Sequence, residues 1–251
     1  MEAFLENPKI KIRDISSVQD KLERIQKDGK DNLMIISDFD YTITKFHKPG
    51  GTNHTNSHMV FDEDLQHTDM EAYRKKEDLG EVVARADWVL RDNVKDFFEI
   101  LFLANIPIIL FSGGIATVID VFLRQQIPES FLSQTHICGN RMEFDENHVC
   151  VGMKLPTIHP YNKGGARLPK DDPYFHEYAV RQNVILIGDS LGDLTMHHGV
   201  ERTGVLLTVA LCNYGDKPEL VEKYAKLYDI VVVGDNSIDV PIQILDKVIK
   251  C

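Results

Sequence analysis

Several classes of protein are excluded by what this sequence has little of. Only four cysteines occur in 251 residues, Cys138, Cys150, Cys212 and Cys251. None forms a C-x-x-C pair, so neither a disulfide scaffold nor a cysteine-ligated zinc site is expected, and the thiols read as reduced. No run approaches the roughly 18 apolar residues needed to cross a bilayer. The amino-terminal stretch MEAFLENPKIKIRD lacks the cationic start, apolar middle and small-residue cleavage site of a signal peptide. A cytoplasmic protein without a membrane partner is therefore the expectation. Cys251 stands last, so it cannot open a prenylation box. Positive charge is in deficit, with 28 Lys plus Arg against 39 Asp plus Glu for a net −11. That balance argues against a nucleic-acid polymer held by phosphate neutralisation, while a few local cations could still hold a small phosphate ester. Ten Pro and 16 Gly are too few for a collagenous or disordered chain, and 43% hydrophobic residues can fill a core. The length suits one large domain, or one domain with a small insert.

What is present is an alternation of short apolar runs with helical stretches, the pattern of a parallel sheet covered on both faces. The expected strands are 33–37, 106–111, 184–187, 205–211 and 230–233, all short, aliphatic and nearly continuous, as strands buried on both faces are. The expected helices are 17–27, 93–104, 116–126, 218–227 and 241–250. Phe97, Phe98, Leu101 and Phe102 recur at core spacing, and Pro218 marks a helix start. Two stretches break the rhythm. Residues 45–90 read as an insert after the first strand, loop-like at Gly50-Gly51 and helical from about Asp69 to Leu90. Residues 136–160 alternate like small antiparallel strands, with Glu146-Asn147 at the turn.

The first strand runs into Asp38-Phe39-Asp40-Tyr41-Thr42. Alternate residues of an extended chain share a face, so Asp38 and Asp40 can point together off the strand's carboxyl end, where open α/β sheets bind ligands. Two adjacent carboxylates repel each other, and a hard divalent cation relieves that; magnesium is the expectation. A second strand ends in Ser112-Gly113-Gly114, a hydroxyl and two glycines at a helix start, suited to cradling a phosphate. Asn162-Lys163-Gly164-Gly165 places one lysine in a turn, where it can act as a point charge on phosphoryl oxygens. The run Gly188-Asp189-Ser190-Leu191-Gly192-Asp193 ends another strand in acids and supplies a further metal carboxylate. Each piece alone has a bland alternative. The acidic pair also suits a metal-using glycosyltransferase, and the glycine-rich pieces suit ordinary turns and caps. Their order along the chain is the specific signal.

Taken together, these residues resemble the four signature motifs of the haloacid dehalogenase superfamily of phosphohydrolases. The stretches IISDFDYTIT, IPIILFSGGI, NKGG, ILIGDSLGDLTMHHGV and KYAKLYDIVVV are similar to the type III cytosolic, or pyrimidine, 5′-nucleotidases. The resemblance implies a three-layer α/β core, with parallel sheet, over 1–44 and 91–251, and a small, mostly helical cap over 45–90. It implies Mg2+-dependent hydrolysis of nucleoside 5′-monophosphates, pyrimidine or modified purine such as 7-methylguanosine monophosphate. Asp38 would be the nucleophile and Asp40 the acid and base. Asp38, the Asp40 carbonyl and Asp189 would hold the metal, with Asp193 ordering its bound water. Ser112, the Gly113 amide and Lys163 would hold the phosphoryl group, with Thr42 adding a contact. A monomer acting on a small-molecule substrate is expected. Broader phosphatase or nucleoside phosphotransferase activity, or a weakly active binding protein, are the alternatives.

Some seventy residues separate Asp40 from Ser112, several tens fewer than the resemblance leads one to expect. The cap's base-reading stretch has no clear counterpart, Glu63, Asp64, Tyr73 and Glu77 being the nearest candidates. His54 and His58 share an i, i+4 spacing but sit among loop-forming residues, and a solvated loop is expected. Trp88 reads as a packing residue, His197-His198 as a border of the site, and the charge run from Arg74 to Asp78 as a solvated helix face.

Overall fold

The computed structural model describes residues 4, 6–48, 51–60, 75–155, 157–158, 180–199 and 204–249. Nine strands are formed among them: β1 (Ile10–Ile12), β2 (Leu33–Ser37), β3 (Ile108–Ile115), β4 (Thr135–Asn140), β5 (Met142–Phe144), β6 (Cys150–Met153), β7 (Asn183–Gly188), β8 (Leu206–Cys212) and β9 (Ile230–Val233). The described helices are α1 (Ile15–Asp28), α2 (Leu79–Arg85), α3 (Val94–Ala104), α4 (Ala116–Gln126), α5 (Pro218–Leu227) and α6 (Asp239–Ile249). Seven strands form one sheet in the order β1-β9-β8-β7-β2-β3-β4, parallel except for β1 at the edge, and β5 and β6 pair separately and antiparallel.

Alternation along each strand builds two cores. Leu33, Ile35, Ile108, Leu110, Ile185 and Ile187 pack on one face against Val18 and Leu22 of α1, Phe97 and Phe98 of α3, Phe122 of α4 and Ile244 of α6. Met34, Ile36, Ile109, Phe111, Val184 and Leu186 turn to the other face, against Val221 and Tyr224 of α5 and Met196. Each fully buried aliphatic side chain contributes about 2 kcal/mol, and only continuous apolar strands can serve both faces at once. The result is the expected three-layer α/β core. Local signals place the helices. Asp14 caps α1 by accepting from the Ser17 amide at 2.9 Å, and Gly29, at φ 81°, ends it. Pro218 opens α5.

Three differences from the sequence reading have physical causes. β3 runs on to Ile115, so Ser112, Gly113 and Gly114 belong to the strand, with a register shift against β4 between Phe111 and Ile115. β4, expected as part of a small antiparallel pair, is the outermost parallel strand of the main sheet; its polar residues suit an edge. β1 is three residues long and antiparallel to β9, too short to leave a period. The antiparallel pair expected over 136–160 is confined to β5 and β6, which turn through 145–149.

Of the stretch expected to be helical from about Asp69, residues 69–74 lie outside the described residues. The remainder holds a short 3-10 turn (Lys76–Asp78) and α2, after which Trp88 is buried, edge-on to Phe39 at 5.4 Å and stacked on Phe122 at 4.3 Å. The two ends of this stretch meet. Thr44 pairs with Leu90 in an antiparallel bridge, the Lys45 amide donates to the Val89 carbonyl at 2.8 Å, and the Arg91 amide donates to the Ile43 carbonyl at 2.9 Å. Among the described residues Cys138, Cys150 and Cys212 are free thiols, and no helix is long and apolar enough to cross a membrane.

A buried acid just before β9 ties the edge together. Asp229 accepts from Lys21 Nζ and Arg13 Nη2, each at 2.6 Å, and from the Thr208 amide at 3.0 Å. Removing a buried charge partner leaves the other groups uncompensated, so Asp229→Ala is expected to lower unfolding free energy by about 3 kcal/mol. Glu81→Ala, which breaks an exposed pair with Arg85, should cost under about 0.5 kcal/mol. Urea denaturation of the two variants checks the contrast.

Candidate active site

β7, β2 and β3 are neighbours, and the chain leaves β2 toward β3 on one side and reaches β7 on the other, so their carboxyl ends flank the sheet's switch point. Ser37 pairs with Ile187 and with Leu110, which sets the ends of β2 and β7 side by side while β3 runs on past them to Ile115. Asp38 follows β2, its amide donating to the Ile187 carbonyl at 2.9 Å, and Asp189 follows β7. Ligand oxygens of Asp38, Asp189 and Asp193 all lie within 4.8 Å of one another, and Asp38 and Asp193 are buried. Each pair of like charges at such a distance costs about 4 kcal/mol at an effective dielectric of 20. Oxygen-only, multiply anionic donors fit a hard divalent cation, and a cation supplies the missing compensation.

Neutral donors and one cation hold the acids in place. Asp193 Oδ2 accepts from the Ser190 amide at 2.8 Å, the Ser190 hydroxyl at 2.9 Å and the Asp189 amide at 3.2 Å, closing the loop on itself. Gly188 permits this, because a Cβ there would stand 2.5 Å from Asp193 Cβ. Tyr224 and Tyr228 donate to the carbonyls of Asp189 (2.7 Å) and Ser190 (2.6 Å). Burial pushes both phenols well above their ordinary pKa, so they remain donors at any physiological pH. Asn213 Nδ2 reaches Asp189 Oδ2 at 3.3 Å and the Tyr41 carbonyl at 3.1 Å. Arg91, almost wholly buried, donates to Asn213 Oδ1 (2.7 Å), to the carbonyls of Tyr41 (2.7 Å) and Thr42 (2.8 Å), and to that of Asp235. Desolvation lowers its pKa to about 10, which leaves it charged at neutral pH. This cation sits behind the acids and fixes the amide that faces Asp189. Tyr41 itself takes a left-handed conformation, φ 65°, a strain of about 1 kcal/mol that these bonds hold in place.

Asp40 stands at the front of the site. Its Oδ1 accepts from the Ser57 amide at 2.8 Å, its Oδ2 accepts from the Ser57 hydroxyl, and the Ser112 hydroxyl reaches Oδ2 at 3.5 Å. Ser112 Oγ also accepts from the Gly114 amide at 2.9 Å. The Gly113 carbonyl is taken by Asn140 Nδ2 at 2.9 Å. Thr42 is buried, its hydroxyl without a hydrogen-bond partner among the described residues. The structure thus brings Asp38, Asp189 and Asp193 together, and Asp40 with Ser112. Lys163 lies outside the described residues, as do Glu63, Asp64 and Tyr73, while Glu77 is exposed.

Ser57, Arg91, Asn213, Tyr224 and Tyr228 were not expected from sequence. The two tyrosines stand at i, i+4 in KYAKLYDIVVV, Tyr224 within α5 and Tyr228 just past its end. His54 corrects an expectation: it lies in a loop but is buried, its Nδ1 3.2 Å from Asp87 Oδ1, whereas His58 is exposed. The hydrogen bond from Lys48 holds the Asp87 carboxyl below its usual range, against the desolvation of its own burial and with the help of the Lys48 charge.

Because Asn213 and Arg91 orient Asp189 from behind, Asn213→Ala is expected to weaken divalent-cation affinity about tenfold while the chain stays folded. Calorimetric titration with the cation, alongside a circular-dichroism melt, measures both.

Comparison with known proteins gives the family. Residues 65–249 match the family described as pyrimidine 5′-nucleotidase (UMPH-1). The chain is 34% identical to 7-methylguanosine phosphate-specific 5′-nucleotidase A of Xenopus laevis over 273 aligned positions, covering 92% of each. That alignment is longer than this 251-residue chain, so the relative carries insertions that the chain lacks. A putative cytosolic 5′-nucleotidase 3 of Caenorhabditis elegans is 29% identical, with 98% of this chain and 77% of the relative covered. Among solved structures, cytosolic 5′-nucleotidase IIIB bound to cytidine superposes with a TM-score of 0.83 at 22% identity, over 97% of this chain and 94% of that one. The chain belongs to the pyrimidine 5′-nucleotidase family: it is a phosphoric monoester hydrolase built on the haloacid dehalogenase fold.

Proposed function

We propose that the chain hydrolyses nucleoside 5′-monophosphates with Mg2+ as cofactor and Asp38 as nucleophile. The observation that carries this is the convergence of Asp38, Asp189 and Asp193 within 4.8 Å, on the strand ends next to Asp40 and Ser112. Asp38 and Asp189, with the Asp40 carbonyl, would hold the metal, and Asp193 either joins them or orders a bound water. The cation, when bound, neutralises charge on the phosphoryl oxygens and on the acids that surround them.

The chain's own residues do the rest. An Asp38 oxygen attacks phosphorus, an acyl-phosphate bond forms, and the bond from phosphorus to the ribose 5′ oxygen breaks. Asp40 gives its proton to that oxygen as the nucleoside leaves. Water then attacks the same phosphorus, Asp40 takes up its proton, and Asp38 is released with inorganic phosphate. Ser112, the Gly113 amide and Lys163 are assigned to the phosphoryl oxygens, and Thr42 to a supporting contact. Most of the acceleration in phosphoryl transfer comes from such positioning and charge neutralisation.

Residues 45–90 are assigned to a reduced cap over the substrate, with 1–44 and 91–251 as the core. A smaller cap makes fewer contacts to the base and excludes less water, so selectivity among bases should be shallow. The family's name points to pyrimidine nucleotides and the relatives' to 7-methylguanosine monophosphate; both are first candidates as substrates. The substrate is a small molecule, and the chain acts on it as a monomer in the cytoplasm.

With Mg2+, the enzyme should release phosphate from 7-methylguanosine and cytidine monophosphates in a panel of nucleoside 5′-monophosphates. Chelation should stop release and Mg2+ restore it. Asp38→Asn is expected to lower turnover by more than about 1,000-fold, and near-normal phosphate release from that variant would overturn the assignment.

A further inference from the structure

Asp40 is held by a residue from outside the motif that carries it. Ser57 is fully buried and lies in the stretch between the two halves of the core. It donates twice to one carboxylate: its amide to Oδ1 at 2.8 Å and its hydroxyl to Oδ2. The two donors differ chemically. An amide N–H can only donate, so Oδ1 is kept as a permanent acceptor. A hydroxyl can rotate, donating to Oδ2 when it is bare and accepting from it, or turning aside, when it carries a proton. Oδ2 is also the oxygen that faces Ser112, 3.5 Å away. Asymmetric contacts of this kind decide which oxygen of a carboxyl group carries the proton and where that proton is offered.

The fold makes room for the contact at one place. A Cβ on Gly114 would fall 1.6 Å from Ser57 Oγ and 2.8 Å from Asp40 Oδ2. Any other residue at 114 would push Ser57 off the carboxylate, so this glycine is required by the approach of Ser57. We propose that Ser57 is a positioning residue for the acid and base step, fixing Asp40 so that Oδ2 delivers the proton to the leaving oxygen. This rests on the assignment of Asp38 as nucleophile and Asp40 as acid. It adds that part of the proton-transfer geometry is supplied by the inserted stretch and is absent from the core alone.

The first turnover separates this role from general damage. Rapid mixing of enzyme and Mg2+ with 7-methylguanosine monophosphate follows nucleoside release, which needs a proton on the leaving oxygen. The same experiment with 2,4-dinitrophenyl phosphate follows a leaving group that departs without one. In Ser57→Ala, nucleoside release should slow about 10- to 100-fold, part of what a positioned acid supplies, with KM within about twofold. First-turnover release of dinitrophenol should stay within about threefold of wild type, which also shows that the variant is folded. Gly114→Ala, whose Cβ would displace Ser57 and crowd Asp40 Oδ2, should also slow nucleoside release more than dinitrophenol release. Met59→Ala, an exposed position two residues away, should change neither rate. Equal slowing with both substrates, or none with the nucleotide, overturns the role of Ser57 while leaving the phosphohydrolase reading intact. Wild-type enzyme that never forms a phosphoenzyme would refute that reading and this one with it.

Discussion

The repulsion among Asp38, Asp189 and Asp193 is the constraint on which the rest of the site depends. Three carboxylates within 4.8 Å are unfavourable by several kcal/mol unless something opposes them. The fold supplies two kinds of opposition. Dipolar donors grip individual oxygens: the Ser190 amide and hydroxyl on Asp193, and Asn213 Nδ2 on Asp189. A buried guanidinium, Arg91, adds positive charge one layer behind, without touching a carboxylate through any of its described hydrogen bonds. Direct ion pairing with Arg91 would neutralise the acids and leave them poor ligands. Placing an amide between arginine and aspartate moderates the repulsion and keeps the acids available to a divalent cation.

Sheet topology makes such a cluster reachable. Parallel neighbours end at the same edge, so Asp38 and Asp189, about 150 residues apart in sequence, need only follow strands in adjacent register. Asp38 and Asp189 were therefore legible from apolar runs that end in acids. Asp193, four residues beyond Asp189, was read as a partner of bound water. The structure shows it also closing the 189–193 loop. The glycines were legible as glycines, but the close approach that one of them permits was not. Gly114 lies within β3 rather than at a helix start, and Ser57 occupies the space that a side chain there would need.

What stayed illegible has a common cause. Arg91, Asn213, Tyr224 and Ser57 act on the site through tertiary contact, and nothing in local sequence says which way a single polar residue at a strand end or in a loop will face. Arg91 sat in the run Val89-Leu90-Arg91-Asp92 with no period to mark it as buried. β4 was missed for a related reason, since an edge strand buries little on its outer side and need not be uniformly apolar. Continuous apolar runs gave away β2, β7, β8 and β9 because burial on both faces leaves no choice of residue type.

The neck of the inserted stretch fixes its two ends independently of what lies between them. The chain departs at 43–45 and returns at 89–91, and those two segments pair with each other through Lys45 to Val89, Arg91 to Ile43 and the Thr44–Leu90 bridge. The returning residue Arg91 then bonds the Tyr41 and Thr42 carbonyls at the departure point. Departure and return are thereby fixed relative to Asp38 and Asp40, whatever lies between them. The contact of Ser57 with Asp40 falls early in the stretch, within about a dozen residues of the neck, so it too survives changes in the more distant part. Loss of residues from the more distant part would therefore leave both the neck and the contact of Ser57 with Asp40 in place. A shorter insertion is in this way physically compatible with an intact cluster of Asp38, Asp189 and Asp193 and an anchored Asp40.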